Sequence, residues 1–250
     1  MNINEIKKRL VLEYRKPTAN VKKISWLRSQ LDESVNTEFI TSDELNIDYD
    51  KTVSDIATLI YNNCKPYIKE AKIQTNDTNN LYRAVSADDD VIFMKRNTRL
   101  TNRNPRDTSQ VVHDLANDYF ISIAGKPFRN AVFATNQPGI KFYNSIGMAY
   151  AMYPIGDFEY LYSVKIHDLT EFLNSEFDHL ATLASHLDST ESDLILKALK
   201  SANYVHNEGL EKVINLPQPS EVMIWCDSYY LVDIDVAIDV NEKIAKMPIL

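Results

Sequence analysis

Glu221-Val-Met-Ile-Trp225-Cys-Asp-Ser-Tyr229-Tyr-Leu-Val-Asp233 consists of two short apolar runs, the first opened by a carboxylate, joined through Cys226, Asp227 and Ser228. Runs of this length, rich in Val, Ile, Tyr and Trp, read as strands. Asp227 and Ser228 supply turn chemistry between them, so the segment reads as a hairpin-like arrangement. Working back along the chain, Leu81-Tyr-Arg-Ala-Val85, Ala131-Val-Phe-Ala-Thr135 and Tyr160-Leu-Tyr-Ser-Val-Lys-Ile166 are runs of the same kind. Helical spacing separates them. Val111, Val112, Leu115 and Tyr119 mark a helix that Asp107 or Thr108 would cap, and Leu194, Ile195, Ala198, Leu199 and Ala202 mark another. Lys141-Phe-Tyr-Asn-Ser-Ile-Gly-Met-Ala-Tyr150 reads as an aromatic-rich, helix-like run. Strands and helices mixed in this way predict an α+β protein.

The first seventy residues carry a different pattern. Ile3, Ile6, Leu10 and Tyr14 recur at helical spacing, as do Val53, Ile56, Ala57, Ile60 and Cys64, and Pro17 and Pro66 limit these two amphipathic helices. Gln74-Thr-Asn-Asp-Thr-Asn-Asn80 has no apolar residue, and its side chains compete for backbone hydrogen bonds, so it reads as a loop. A subdomain boundary falls there, giving an N-terminal helical segment over 1–75 and a strand-rich region over 76–250. The helical segment either stands apart or packs on a face of the following sheet.

The 250 residues are 44% hydrophobic and 25% charged, enough to bury a sizeable core. No apolar run approaches the roughly eighteen residues of a membrane-spanning helix, and the start, Met1-Asn-Ile-Asn-Glu-Ile-Lys-Lys-Arg9, is charged where a signal peptide would be apolar. The expected setting is a cytoplasm, with no membrane partner. Cys64 and Cys226 are the only two cysteines; both lie in apolar contexts and read as buried thiols, neither a disulfide nor a zinc site.

A net charge of −8 repels polyphosphates from most of the surface, which disfavours nucleic acid as a partner unless basic residues are segregated. One segment does segregate them: Lys95, Arg96, Arg99, Arg103 and Arg106, interleaved with asparagines and threonines. It reads either as a loop contacting phosphates or an acidic partner, or as a solvated loop whose arginines pair with surface carboxylates. There is no Walker loop, dinucleotide glycine fingerprint, nucleophile elbow or His-Glu-x-x-His helix. The five histidines lack metal-ligand spacing, so no metal site is expected.

Three polar residues on or beside strands remain. Arg83 sits inside an apolar strand, and a desolvated guanidinium needs a carboxylate, a phosphate or another acceptor. Thr135 closes Val132-Phe-Ala-Thr135, ahead of Asn136-Gln-Pro-Gly139. Glu221 opens its apolar strand, where it is either an edge charge or a carboxylate facing a cleft.

This order of motifs, an arginine in an aromatic-Arg strand, then a Phe-x-Thr strand, then Glu-Val-hydrophobic-hydrophobic, resembles the Arg-Ser-Glu class of mono-ADP-ribosyltransferases. Leu81–Val85 and Glu221–Ile224 look similar to the corresponding strands in bacteriophage-encoded members, and the resemblance covers roughly residues 78 to 235. It implies a split, mostly antiparallel ADP-ribosyltransferase-like sheet core whose central cleft binds NAD as substrate; the N-terminal helical segment is left unmatched and is expected to pack on or beside that core. The implied activity is transfer of ADP-ribose to a macromolecular acceptor, a host protein if the chain is phage-encoded. Glu221 would be the catalytic carboxylate, Thr135 its orienting partner, and Arg83 the brace on an NAD phosphate or ribose. A carboxylate suits the oxocarbenium-like state through which the nicotinamide–ribose bond breaks. Tyr82, Phe142 or Tyr143 would stack on nicotinamide, or be core. Arg99, Arg103 and Arg106 would meet the acceptor.

Two positions depart from the family pattern. Ala134-Thr135-Asn136 stands where Ser-Thr-Ser is usual. Pro219 stands two before Glu221, where arginine-directed transferases carry Glu or Gln, and Gln218 is one position out of register; arginine modification is therefore not implied. Two alternatives remain beside transfer to protein: an inactive member acting as a virion or interaction protein, and nucleic-acid-directed modification through the 95–106 segment.

Overall fold

A computed structural model of the chain describes residues 39–73, 80–85, 91–101, 103, 105, 108–143, 147–177 and 186–248. The predicted helix at Ile3–Tyr14, Asp107, most of the 74–80 loop, Arg106 and the side chain of Tyr143 lie outside the described residues. The fold is α+β, with a nine-stranded, all-antiparallel sheet. Its strands are β1 (Phe39–Thr41), β2 (Leu81–Val85), β3 (Val91–Asn97), β4 (Val132–Thr135), β5 (Met148–Pro154), β6 (Glu159–Tyr162), β7 (Val205–His206), β8 (Glu221–Trp225) and β9 (Ser228–Asp233). In space they run β1-β3-β9-β5-β2-β4-β8-β6-β7.

The middle of this sheet is its weakest seam. β2 and β5 share five register pairs and β4 and β8 four, whereas β2 meets β4 only where Tyr82 faces Thr135. The chain itself requires the sheet to bend between β8 and β9. Trp225 and Ser228, three residue steps apart, are separated by at most roughly 11 Å of extended chain. Yet β4, β2 and β5 lie between β8 and β9 in the sheet order, and four flat inter-strand spacings would separate them by roughly 19 Å. The sheet therefore curls between β8 and β9 and brings its two halves toward each other.

β8 and β9 form where the sequence places them, but they do not pair as a hairpin. β8 lies between β4 and β6, and β9 between β3 and β5. The tightest hairpin turns need positive φ in the two linking residues, and neither Cys226 nor Asp227 has it. Both strands are also buried along their centres, so each is satisfied only by a partner on both edges.

Among the described residues nine α-helices cover the sheet: α1 (Ser42–Ile47), α2 (Tyr49–Asn63), α3 (Lys65–Ala71), α4 (Gln110–Ala124), α5 (Ile140–Tyr143), α6 (Leu169–Glu176), α7 (Ser189–Ser201), α8 (Leu210–Ile214) and α9 (Ile234–Ala245). None is long and apolar enough to cross a membrane. In α2, Val53, Ile56, Ala57 and Ile60 form the buried stripe that their spacing predicts. Pro66 ends α2 and also opens α3, since a proline in the first turn removes no intrahelical donor.

Alternation along the strands sorts side chains into two cores. Val222 and Ile224 of β8, Tyr160 and Tyr162 of β6, and Val132 and Ala134 of β4 face the first core, with α2, α3, α8 and α9. Met223 and Leu161 face the second core, against α4, α6 and α7, and Phe133 and Trp225 pack onto it. Residues 53–73 share the first core with the sheet, and Phe39–Thr41 supplies its edge strand β1, which helical spacing alone did not indicate.

Several local expectations are corrected. Within the run 141–150, Lys141 to Tyr143 are helical as expected, but Met148 to Tyr150 are not helical and open β5, whose central residues are covered on both faces and so show no alternation. α4 starts after Ser109 and not after Thr108, whose hydroxyl is engaged by Thr170 and Arg129. The strand expected at 160–166 stops at Tyr162. Lys95 and Arg96 belong to β3, with Arg96 buried, so the basic segment begins in the sheet and not in a loop.

Candidate functional site

β4 ends beside the start of β8, with Thr135 directly across from Glu221. Parity puts both on the face carrying Phe133 and Met223. The turn after β4 fixes the chain leading into β8. Asn136 is fully buried, and its Nδ2 donates toward the carbonyls of Val213 (3.3 Å), Leu216 (3.1 Å) and Gln218 (2.9 Å), while its Oδ1 accepts from Ser220 N–H (3.0 Å). Thr135 Oγ1 donates to the Ser220 carbonyl at 3.0 Å. A single amide thus ties the 213–220 connection to β4, and Glu221 follows immediately.

Gly139 completes this corner. A Cβ there would lie 1.8 Å from Thr135 Oγ1, so only glycine lets the Gln137–Gly139 turn close over the threonine.

Glu221 is largely buried, its side chain 15% exposed. Burial pushes its carboxyl up to about 8; the Arg129 guanidinium opposes that shift, Asp168 adds to it, and Arg103 again opposes it. Arg129 Nη1 stands 3.7 Å from Glu221 Oε1. Asp168 is the N-cap of α6, accepting from Glu171 N–H at 2.7 Å. Tyr204 is close enough for its phenol, raised mainly by burial, to feel the Glu221 charge.

A small cleft of about 90 Å³ opens here, lined by Thr135, Gly139, Phe142, His167, Asp168, Glu171, Pro219 and Glu221. Phe142 is 51% exposed and meets the His167 ring edge-on at 6.0 Å. A perturbed carboxyl beside an exposed aromatic ring in a cleft is a combination that marks functional sites.

The structure brings Thr135, Glu221 and Phe142 into one cleft. Tyr82 is the cross-strand neighbour of Thr135 but is buried in the first core. Arg83 is one residue further along β2; its Nη1 donates to the Phe133 carbonyl at 2.8 Å, and its guanidinium lies over the Tyr229 ring at 5.8 Å. The guanidinium that faces Glu221 belongs instead to Arg129. Of the three arginines assigned to the acceptor, Arg99 is exposed, whereas Arg103 turns inward, bonding the Ala131 carbonyl and lying 4.6 Å from the Phe133 ring centroid.

Arg129, Asp168 and Asn136 are the site residues that pattern reading missed. Arg129, between Phe128 and Asn130 in a short turn, lacks the apolar strand context that singled out Arg83. Cys64 and Cys226 are free, buried thiols, and burial pushes both up, Cys226 to about 12. Among the described residues no group of three or more His, Cys, Asp and Glu could hold a metal ion.

Comparison of the chain with models of protein families, with curated proteins and with solved structures finds no match.

Proposed function

We propose that the cleft at the head of β8 takes the nicotinamide end of NAD and that the chain transfers ADP-ribose to a macromolecular acceptor, as an ADP-ribosyltransferase-like protein. The observation that carries this reading is the adjacency of β2, β4 and β8 at the sheet's single-pair seam. Arg83, Thr135 and Glu221, far apart in sequence, stand on three neighbouring strands there.

The chemistry fits the groups present. The ribose C1′–nitrogen bond breaks with its electron pair leaving on nicotinamide, and the acceptor nucleophile bonds C1′ and releases its proton. Glu221 offsets the positive charge at C1′ and accepts a hydrogen bond from a ribose hydroxyl. Burial pushes the Glu221 carboxyl up to about 8, which disfavours its charge. The cationic nicotinamide ring beside it favours the ionised form. A cleft of about 90 Å³ is small beside the roughly 300–1,000 Å³ of ordinary ligand pockets, so it suits one ring, with the rest of the dinucleotide outside.

A carboxyl that burial pushes up and an Arg83 already bonded to Phe133 favour a second reading in which the fold is kept without catalysis, as a virion or interaction protein. Incubating the purified chain with labelled NAD and a host lysate separates the two. Labelled protein together with free nicotinamide supports transfer. Bound NAD without either product supports the non-catalytic reading, and absence of NAD binding removes transfer while leaving a virion or interaction protein that keeps the fold.

A further inference from the structure

We propose that Arg129 is the positioning residue for Glu221, holding its carboxyl at the head of β8 and supplying the positive charge against which it ionises. The role rests on the reading of Glu221 as the reacting carboxylate, but the geometry behind it does not.

Arg129 sits in the 3-10 turn Phe128–Asn130, immediately before β4, and is 8% exposed. Its backbone is fixed by α4, since its N–H donates to Asn117 Oδ1 at 2.9 Å. Next to it, Asn130 Oδ1 is 3.1 Å from His113 Nε2, a second tie to the same helix. The guanidinium is held on three sides. Nη2 donates to Thr108 Oγ1 at 3.2 Å, the plane lies 4.8 Å from the Phe133 ring centroid, and Nη1 points to Glu221 at 3.7 Å. Its Nε, buried, bonds to nothing among the described residues. A buried guanidinium with spare donor capacity needs an anion, and the nearest carboxylate among the described residues is Glu221.

The charged and titratable groups facing Glu221 come from separate elements: Arg129 from the turn before β4, Arg103 from the segment after β3, Asp168 from the start of α6, and Tyr204 from the chain after α7. His167 and Glu171 line the same cleft. Arg103 is bonded to the Ala131 carbonyl and packed on Phe133. Asp168 is engaged as a helix cap and repels a second negative charge. Arg129 is therefore the group whose removal leaves an ionised Glu221 least compensated.

The test is a carbon-13 NMR titration of the Glu221 carboxyl in the full chain, with no NAD present. Arg129→Gln should move its midpoint upward by about 1–3 pH units, the usual effect of deleting an adjacent opposite charge. Arg129→Lys, which keeps a charge but loses the planar fork, should move it less. An unmoved midpoint in folded Arg129→Gln overturns the proposal. Should that variant not fold, Thr108→Val takes its place: releasing the guanidinium should shift the midpoint in the same direction, and no shift there overturns the proposal too. In parallel, the pH profile of nicotinamide release should move with the NMR midpoint and return toward the parent in Arg129→Lys. A parent that does not cleave NAD sinks the NAD reading alone, because the titration judges Arg129 without it.

Discussion

Replacing Glu221 by glutamine should make the protein more resistant to rising pH. In the folded chain burial raises this carboxyl from 4.5 to about 8, outweighing the attraction of Arg129 at 3.7 Å. A carboxyl whose folded value lies above its unfolded value binds its proton more tightly when folded. Its stabilisation is therefore complete below the unfolded value and is withdrawn as pH rises toward the folded one. Over the interval from pH 5 to pH 7 the withdrawal amounts to on the order of 2 kcal/mol, at up to about 1.4 kcal/mol per pH unit. That is a large share of the roughly 5–15 kcal/mol holding a domain together. Glutamine keeps the shape and cannot titrate, so subtracting its profile cancels every other ionising group. Urea unfolding of parent and Glu221→Gln at pH 5, 6 and 7 measures the difference. Profiles that stay parallel within about 0.5 kcal/mol would refute the burial argument. A parent that gains on the variant as pH rises would show that Arg129 outweighs desolvation. The same group predicts the kinetics: kcat/KM for nicotinamide release should climb with pH toward about 8, reporting the free-enzyme carboxyl. Turnover in Glu221→Gln should fall about a hundred- to a thousand-fold, with NAD affinity little changed.

Gly139→Ala should destabilise by about 1–3 kcal/mol, because its Cβ would lie 1.8 Å from Thr135 Oγ1. Part of the loss should return in the Gly139→Ala, Thr135→Ala double variant, and thermal melts showing full independence of the two changes would refute the contact. Asn136→Asp, nearly isosteric, sets a carboxylate against three carbonyls and should cost at least about 3 kcal/mol in urea unfolding; a cost under about 1 kcal/mol would mean the 213–220 connection is held by other contacts. Arg83→Lys should lower stability by about 1 kcal/mol through its weakened bond to the Phe133 carbonyl, and an NAD dissociation constant equal to the parent's would remove Arg83 from the NAD site. Arg103→Gln should destabilise while Arg99→Gln should not, since the first is packed on Phe133 and the second is exposed; only Arg99→Gln then reports cleanly on acceptor labelling.

What was legible in the sequence follows from how local each signal is. Leu81–Val85 and Glu221–Trp225 were readable because each is an apolar run bounded by polar chain. Met148–Pro154 was not, because a central strand buried on both faces loses the alternation that marks a strand. Val91–Asn97 was hidden by its own end, where Lys95 and Arg96 resemble the start of a basic loop although Arg96 is buried. Strand identity was also easier to read than strand pairing. The short link between β8 and β9 suggested a hairpin, yet each strand's buried edges demanded two partners from elsewhere.

The candidate site divides along the same line. Thr135 and Glu221 stand at strand ends, where a polar residue interrupting an apolar run is conspicuous, and the fold places them opposite each other. Arg129 lies in a short turn between helix and strand, where no periodicity makes an arginine stand out. Asp168 has a clear local signature, but the signature is that of a helix cap, Asp168-Leu-Thr-Glu171, and it is satisfied by the Glu171 N–H. Nothing in that pattern says that the cap also faces a carboxyl on another strand. Asn136 is the sharpest instance. Beside Thr135 it reads as a departure from a serine-rich motif, whereas in the fold its amide organises the approach to Glu221 through partners 77 to 84 residues away. A residue's local role can be read from its neighbours in sequence. The electrostatic role of Arg129 and Asp168 depends on which helix is packed over β4 and β8, and that is fixed only once both cores have formed.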